Sequence, residues 1–448
     1  MHSIHGLFRG KNLELGRDED TGGQIIYVLE LAKALAKLKQ VDKVDIITRK
    51  IVDKSYPGYS KDIEKVGDKV NIVRIECGPK EYIKKVHLWP YIDEFIDNCK
   101  KYIKKLGRKP DILHSNYADS GYVCVKLSKM LKIPQVHTGH SLGKPKMERL
   151  GVNDKNFKQM DKIYNFTKRL KAEQLAIDNA SAIVVSTEEE RIYQYGAYHI
   201  DTKDKRFNVI FPGVDLDMFY HNLKKLSEEE KRARKRIFTL IENSIEDTSK
   251  PMVFSISRLD FKKNLAGLVK AYASDHELRE MANLVLVTGR LGKLGKHQKV
   301  MMDEIRYILA KHKIFGKLCI IKHIGHSTET GPMYRIIYES KGVFVNPALH
   351  EPFGITILEA GATGIPVVAT NNGGPVEILG KSKNGILVNP GDAKEIASAI
   401  KSILKDKKKW KKYSGLGVKN VKKYYSWDAT AKSEYALFKR VISGGVKN

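Results

Sequence analysis

At 448 residues, 42% of them hydrophobic, the chain is long and apolar enough for two domains with substantial cores. No apolar run approaches the ~18 residues of a transmembrane helix, no signal peptide is expected, and the four cysteines, Cys77, Cys99, Cys124 and Cys319, lack CxxC spacing and read as reduced core residues of a cytosolic protein. The 80 basic residues against 52 acidic ones give a formal charge of +28, which attracts phosphorylated ligands and, nonspecifically, nucleic acid or acidic lipid, but the basic runs 231–236 and 407–412 lie on helical patterns without a nucleic-acid module.

In chain order, the spacing predicts strands at 44–48, 70–75, 111–114, 135–138 and 182–186, alternating with helices that include 23–38, 91–106 and a long one over 157–179. A strand at 207–211 runs into PGVDLDMF, residues 212–219, where the chain crosses to a second domain, and Ser227 with Glu230 has the spacing of a capping box. Strands at 252–257, 283–288, 318–324, 342–348 and 365–370 then alternate with helical segments. This is an α/β protein of two Rossmann-like domains with parallel sheets, the second doubly wound. The expected division is 1–211 against 212–426, with no internal repeats.

The stretch HEPFGITILE, residues 350–359, follows an apolar strand and leads into a helix. Glu351 therefore lies in a strand-to-helix turn, Pro352 suits a helix start, and Gly354 lets a ligand approach the backbone. The first amides, of Gly354, Ile355 and Thr356, form an anion site with the helix dipole behind them. Glu359, roughly a turn and a half further on, can accept from hydroxyls beside that anion. Two carboxylates bracketing a phosphate site suit a nucleotide sugar. Other strands end in SRLDFKKN (257–264), TGR (288–290) and NNGGP (371–375), so polar and glycine-rich residues gather at carboxyl ends, and Arg258 and Lys263 are placed to neutralise a diphosphate. In the first half, Gly22 and Gly23 followed by Gln24 offer a second set of free amides at a helix start. His140 follows the 135–138 strand, within HTGHSLG.

The pair Glu351 and Glu359, flanked by SRLDFKKN and NNGGP, resembles the retaining glycosyltransferases built of two facing Rossmann-like domains, the GT-B type, with an interdomain active-site cleft. The strings at residues 4–35, 88–95 (LWPYIDEF), 137–150 (HTGHSLGKPKMERL) and 342–354 look like the sucrose-phosphate synthase branch of that family and, more distantly, sucrose synthase. The resemblance spans nearly the whole chain. It implies catalytic roles for His140, Glu351, Arg258 and Lys263. The donor set is Gly23, Arg258, Lys263, Glu351, Phe353, Gly354, Ile355, Thr356 and Glu359, with Glu351 on the sugar and Glu359 on the ribose. The acceptor set is Gly22, Gln24, Lys85, Tyr117, Ser141, Lys146, Lys168 and Arg169. It also implies a final helix, about 427–448, that returns to the first domain. The first strand is shorter than the family's, and no phosphatase-like domain follows the synthase core, so a separate sucrose-phosphate phosphatase is the expected partner.

The implied reaction is retaining transfer of glucose from UDP-glucose to fructose 6-phosphate by same-face substitution, without a covalent nucleophile. The acids of DED (18–20) and DLD (215–217) read as ordinary loop residues, so no metal is obligatory, and magnesium enters only as a counter-ion of the nucleotide. Cations near the acceptor distinguish this reading from a sucrose synthase, which takes neutral fructose, and from a transferase with another acceptor. A basic RNA-binding protein is the alternative outside the enzymes. Its mark would be sequence-selective binding that survives high salt.

Overall fold

The computed structural model describes residues 1–14, 17–18, 20–222, 226–289 and 296–444; Glu19 of DED, Arg290 of TGR and the last four residues of the expected final helix segment lie outside that set. The chain divides into two compact units, Met1–Gly213 with Trp427–Asn448 and Val214–Ser426.

The first unit contains β1 (Val44–Arg49), β2 (Ile63–Lys65), β3 (Val70–Ile75), β4 (Leu113–Asn116), β5 (Gln135–Thr138), β6 (Ala182–Val185) and β7 (Phe207–Val209). They pair as β1-β3-β2 and β4-β5-β6-β7. The first residues of the chain join the two sets: His2 bridges in parallel to Ile47 of β1 and to Ser115 of β4. Its amide donates to the His114 carbonyl at 2.7 Å, and the Ser3 amide donates to Ile47 at 3.0 Å. The strand order reverses between this segment and β4, which makes their carboxyl ends the switch point where such sheets bind ligands. β4, β5 and β6 are buried along their whole length, as a parallel sheet covered on both faces requires.

Alternating residues of each strand feed opposite cores. Ile46 and Ile72 pack with Ile25, Val28 and Leu31 of the helix Gly23–Ala36 and with Leu437, Phe438 and Val441 of the helix Trp427–Ile442. Ile47 and Val73 pack with Phe95, Ile96 and Cys99 of the helix Ile92–Lys105. The Tyr27 hydroxyl donates to Glu434 at 3.0 Å and the Thr430 hydroxyl to the Phe211 carbonyl at 2.8 Å, tying the last helix to this unit.

Two expectations need correction here. The predicted helix over 157–179 is broken into Phe157–Tyr164 and Phe166–Asn179 by Asn165, whose φ of +53° puts it in the left-handed region that asparagine tolerates. Its side-chain amide donates to the Val86 carbonyl at 2.7 Å. The antiparallel edge strand β2 was not predicted: three residues of exposed, intermediate and exposed burial carry no apolar alternation.

The second unit holds β8 (Met252–Ile256), β9 (Asn283–Val287), β10 (Leu318–Ile321), β11 (Val343–Asn346), β12 (Val367–Thr370) and β13 (Gly385–Val388) in the order β10-β9-β8-β11-β12-β13. All pairs are parallel. The chain winds outward from β8 and then restarts at β11 on its other side, so the switch point lies at the carboxyl ends of β8 and β11. Leu268, Val269 and Tyr272 of the helix Leu265–Ser274 pack with Ile396, Ile400 and Ile403 of Ala393–Leu404 over one face. The helix Glu228–Glu242 starts on the expected capping box: Ser227 Oγ accepts from the Glu230 amide at 3.2 Å, and Glu230 Oε2 accepts from the Ser227 amide at 2.8 Å. Among the described residues no helix is long and apolar enough to cross a membrane, and all four cysteines are buried and free.

The β12–β13 pairing leaves no room for a side chain at Gly385, where a Cβ would lie 2.0 Å from the Val367 carbonyl oxygen. Gly385→Ala is expected to cost about 1–3 kcal/mol in chemical denaturation. Gly380→Ala, in a helix and facing open space, is expected to gain up to about 1 kcal/mol. Equal effects of the two substitutions would contradict this packing.

Candidate functional site

In the second unit, a cavity of about 110 Å³ at the carboxyl ends of β8 and β11 is lined by Ser255, Lys263, Asn346, Glu351, Ile355 and Thr356, together with Gly354. Glu351, in the turn after β11, is 8% exposed. Its Oε2 accepts from Lys263 Nζ at 2.7 Å and from Asn346 Nδ2 at 3.0 Å. Its amide donates to Asn372 at 3.2 Å and its carbonyl accepts from Gly374 at 2.9 Å, so the residue is fixed at backbone and side chain alike. The helix begins at Ile355, later than Pro352 suggests. Gly354, with φ +103°, forms the turn that admits helical geometry only from the next residue, and Pro352 lies in the bend before it. No side chain caps this helix among the described residues, which leaves its first amides directed toward the cavity end of the turn. Behind them, Glu359 is 6% exposed and accepts from the Tyr334 hydroxyl at 2.7 Å.

In the first unit, Tyr117 follows β4 with φ +78°, a conformation rare for a residue with a side chain. Its ring centroid lies 5.4 Å from Lys85 Nζ and 4.9 Å from Arg169 Cζ, and the His5 ring meets it edge-on at 4.6 Å. Lys85 Nζ pairs with Asp20 Oδ1 at 2.7 Å, while the Lys85 amide donates to Asp20 Oδ2 at 2.7 Å. Burial raises the Asp20 pKa, but the charge and hydrogen bonds of Lys85 outweigh it and hold the carboxyl below its ordinary value. Arg169 Nε donates to Glu173 at 2.9 Å and Nη2 to the Ser141 carbonyl at 2.6 Å. Glu173 also accepts from the Gly143 amide and the Tyr198 hydroxyl. Gln24 Nε2 donates to the Asp20 carbonyl at 2.7 Å, and Gly22 precedes a helix start that no side chain caps among the described residues.

His140 follows β5 with φ +58°. Asn116 donates its Nδ2 to the His2 carbonyl at 3.3 Å, leaving Oδ1 to accept from His140 Nε2 at 2.9 Å, so the ring proton sits on Nε2. Burial, with smaller contributions from His137 and His5, pulls the His140 pKa down to about 3. The imidazole is therefore neutral at physiological pH. Tyr27, anchored by Glu434, packs edge-on against it at 4.8 Å.

The structure thus brings Lys263, Glu351, Gly354, Ile355 and Thr356 to one cavity with Glu359 just behind. Exposed Arg258 and half-buried Phe353 are not among the lining residues. Contacts connect Gln24, Lys85, Tyr117, Ser141 and Arg169, and Gly22 and Gly23 open the helix that carries Gln24. Lys146 reaches the Tyr164 ring at 4.3 Å, whereas Lys168 points to solvent on its helix and joins none of these contacts. Asp20 is no ordinary loop acid: it is 4% exposed because it holds Lys85. Sequence reasoning also passed over Asn346, Glu173 and Tyr334. Asn346 could have been found as a polar residue closing an apolar strand, and Glu173 by its i+4 spacing from Arg169; Tyr334 left no comparable trace. Among the described residues no group of three or more His, Cys, Asp or Glu is placed to hold a metal.

Burial pushes the Glu359 carboxyl from its ordinary 4.5 up to about 7, against the lowering effect of the Tyr334 hydrogen bond. The unfolded chain releases this proton near the ordinary value. Between about 4.5 and about 7 the folded state therefore holds more protons than the unfolded one, so stability falls as pH rises and levels off above that range. At about 1.4 kcal/mol per pKa unit, Glu359→Gln is expected to gain on the order of 3–4 kcal/mol relative to wild type at pH 8 and much less at pH 5. Denaturant unfolding at both pH values checks this, and a pH-independent difference would refute it.

Residues 1–245, more than half the chain, match the family model of the sucrose synthase first GT-B domain, and residues 237–417 match that of the glycosyl transferases group 1. A probable sucrose-phosphate synthase 1 of Oryza sativa subsp. indica is 36% identical over 483 residues, a span that covers 95% of this chain and 44% of the relative. The chain spans about half the length of the curated relatives it matches. The solved structure of sucrose-phosphate synthase from Thermosynechococcus elongatus matches with a TM-score of 0.70 at 25% identity, over 99% of this chain and 98% of that one. Anabaena HepE in complex with UDP and glucose shares the fold, with a TM-score of 0.62 at 16% identity over 95% and 98% of the two chains. With more than half its length under the first of these family models, the chain belongs to the sucrose synthase GT-B domain family of glycosyltransferases, alongside relatives named sucrose-phosphate synthase.

Proposed function

We propose that the chain transfers glucose from UDP-glucose to fructose 6-phosphate with retention, giving sucrose 6-phosphate and UDP. The observation that carries this reading is the pair Lys85 and Arg169 at the Tyr117 ring, with side chains only 20% and 6% exposed. Neutral fructose offers such a pair only hydroxyl oxygens, whereas the dianion of fructose 6-phosphate offers opposite charge. Asp20 and Glu173 offset the cost of burying the cations, yet each cation keeps N–H donors beyond those its carboxylate uses. The relatives named sucrose-phosphate synthase support this reaction, and the neighbour solved with UDP and glucose supports a UDP-sugar donor.

On the donor side, Lys263 and the helix-start amides after Gly354 receive the diphosphate, Arg258 adds a second cation, and Glu359 accepts from the ribose. Glu351, held by Lys263 and Asn346, faces the glucose. As the bond from glucose C1 to the β-phosphate oxygen breaks, its electron pair leaves on UDP. The acceptor C2 hydroxyl oxygen bonds to C1 on the same face, and its proton passes to the departing phosphate oxygen. The fixed cations and dipoles stabilise charge on the leaving group without rearranging. Neutral His140 donates no proton in this scheme; its strained backbone places its carbonyl beside the developing positive charge of the sugar.

A matrix of UDP-, ADP- and GDP-glucose against fructose and fructose 6-phosphate, with product identification, tests the assignment. The expected product is sucrose 6-phosphate from UDP-glucose, with free fructose slower by several orders of magnitude, because a cation pocket left without its dianion is costly. Comparable use of free fructose would establish the sucrose synthase reading instead. Arg169→Met should raise the KM for fructose 6-phosphate more than tenfold, since charge-assisted contacts are worth about 1.5–3 kcal/mol, and leave that for UDP-glucose within about twofold. Lys263→Ala should do the reverse.

A further inference from the structure

We propose that Glu434, on the helix Trp427–Ile442, is a positioning residue for glucose transfer that holds the His140 turn from two sides, through Tyr27 and through His114. The proposal rests on the reading above, in which the His140 carbonyl lies beside the transferred sugar. Glu434 belongs to neither the donor nor the acceptor set.

The residue is out of pattern for its place. The other charged side chains of its helix, Asp428, Lys432, Lys439 and Arg440, are exposed, whereas Glu434 is fully buried near Ala431, Leu437 and Phe438. A carboxyl in such a core costs stability unless it is bonded. Its Oε1 accepts from the Tyr27 hydroxyl at 3.0 Å, and the Tyr27 ring meets the His140 ring edge-on at 4.8 Å and the Trp427 ring at 5.6 Å. Its Oε2 lies 3.9 Å from His114 Nδ1, too far for a hydrogen bond, and neither atom has a hydrogen-bond partner among the described residues. His114 Nε2 lies 2.9 Å from the hydroxyl of Thr138, which ends β5 two residues before His140. Glu434 thus reaches the turn at its ring, through Tyr27, and at its strand, through His114 and Thr138.

Two orphaned atoms that face each other indicate where a proton belongs. With the carboxyl neutral, Oε2 carries the proton and a small rotation directs it to the Nδ1 lone pair; His114 then donates from Nε2 to Thr138, while Tyr27 donates to Oε1. Ionised, the carboxylate faces that lone pair until His114 moves its ring proton from Nε2 to Nδ1, and the Thr138 hydroxyl must reverse. Burial favours the first state: it pushes the Glu434 carboxyl up to about 8, against the lowering effect of the Tyr27 bond, and holds His114 well below its ordinary value. The titratable groups around Glu434 are Tyr27 on the helix Gly23–Ala36 and His114 on β4. Behind them stand His137 on β5, His140 after it and, beside Tyr27, Glu190. Burial keeps both of these histidines neutral and pushes Glu190 up to about 7, so Glu190 is the neighbour that also changes charge near neutrality. As pH rises through about 8 the neutral Glu434 carboxyl is lost, and kcat falls with it.

The test compares wild type with Glu434→Gln, Glu434→Leu, Tyr27→Phe and the double variant Tyr27→Phe/Glu434→Leu, in steady-state kinetics with UDP-glucose and fructose 6-phosphate from about pH 6 to about pH 9.5. Cooperative thermal unfolding establishes that each variant folds. At pH 7, Glu434→Leu and Tyr27→Phe are expected to lower kcat about tenfold and to leave both KM values within about twofold, the scale of one lost hydrogen bond in a network that positions a reacting turn. The double variant should lose no more than Glu434→Leu alone. Glu434→Gln, whose amide can accept from Tyr27 and donate to His114, should restore kcat to within about threefold of wild type and hold it at pH 9, where wild type falls. Wild-type kcat in Glu434→Leu would overturn the proposal, and so would an alkaline fall shared by wild type and Glu434→Gln, which would assign that fall to Glu190. Should Glu434→Leu not fold, Tyr27→Phe and Glu434→Gln decide the same question. A wild type that makes no sucrose 6-phosphate would refute the underlying reading and the proposal with it, whereas an active wild type with indifferent variants refutes the proposal alone.

Discussion

Three cations at the two candidate sites, half-buried Lys263 and Lys85 and buried Arg169, are each held by a carboxylate of their own unit: Lys263 by Glu351, Lys85 by Asp20 and Arg169 by Glu173. A charge taken out of water without a partner costs several kcal/mol, so these pairs are the condition under which the cations exist there at all. They also orient the cations. Arg169 is pinned at Nε by Glu173 and at Nη2 by a backbone carbonyl, which leaves one side of its guanidinium for Tyr117 and for a ligand. A similar economy governs Glu351, whose Oε2 is shared by Lys263 and Asn346 while its backbone is clamped by Asn372 and Gly374. These groups are thus already in position, the condition under which electrostatic stabilisation of a bound charge costs no reorganisation.

The residues at these sites sit where the backbone is unusual. Tyr117, His140 and Gly354 all have positive φ, and all lie in the turn that follows a parallel strand. Parallel sheets collect such turns at one end, and a switch in strand order opens a gap between two of them. At Tyr117 and His140 the neighbours hold the strained backbone, with Tyr117 between two cations and His140 between Asn116 and Tyr27. Fold and site are therefore one argument: the sheet order selects which turns converge, and the turns decide which side chains meet.

Much of this was legible in the residues because buried parallel strands are apolar runs and their ends are polar. β3 and β5 fall where the pattern put them, and HEPFGITILE marks the turn that lines the cavity beside β8 and β11. Illegible features had specific causes. Asn165 breaks a helix that periodicity alone continues, because the break depends on one left-handed residue and a hydrogen bond to the distant Val86. β2 is too short and too exposed to alternate, and Pro352 was assigned a helical role that Gly354 pre-empts. Asp20 looked like any loop acid because its partner lies 65 residues away. Lys168 and Arg169 are adjacent in sequence, yet the roughly 100° between neighbouring helical residues sends one outward and the other into the core.

The first unit is completed by the helix Trp427–Ile442, with Tyr27 bonded to Glu434 across 407 residues of chain. During synthesis from the amino terminus, the segment 214–426 emerges whole and can fold as soon as it leaves the ribosome, but the first unit must wait for the helix Trp427–Ile442, which is translated after it. Until then the apolar face of the helix Gly23–Ala36 that Leu437 and Phe438 cover stands open to water. The closing of so long a loop is also a slow, entropically costly step. The order in which the chain is made is thus opposite to the order in which its two halves can finish folding: the unit begun first is completed second.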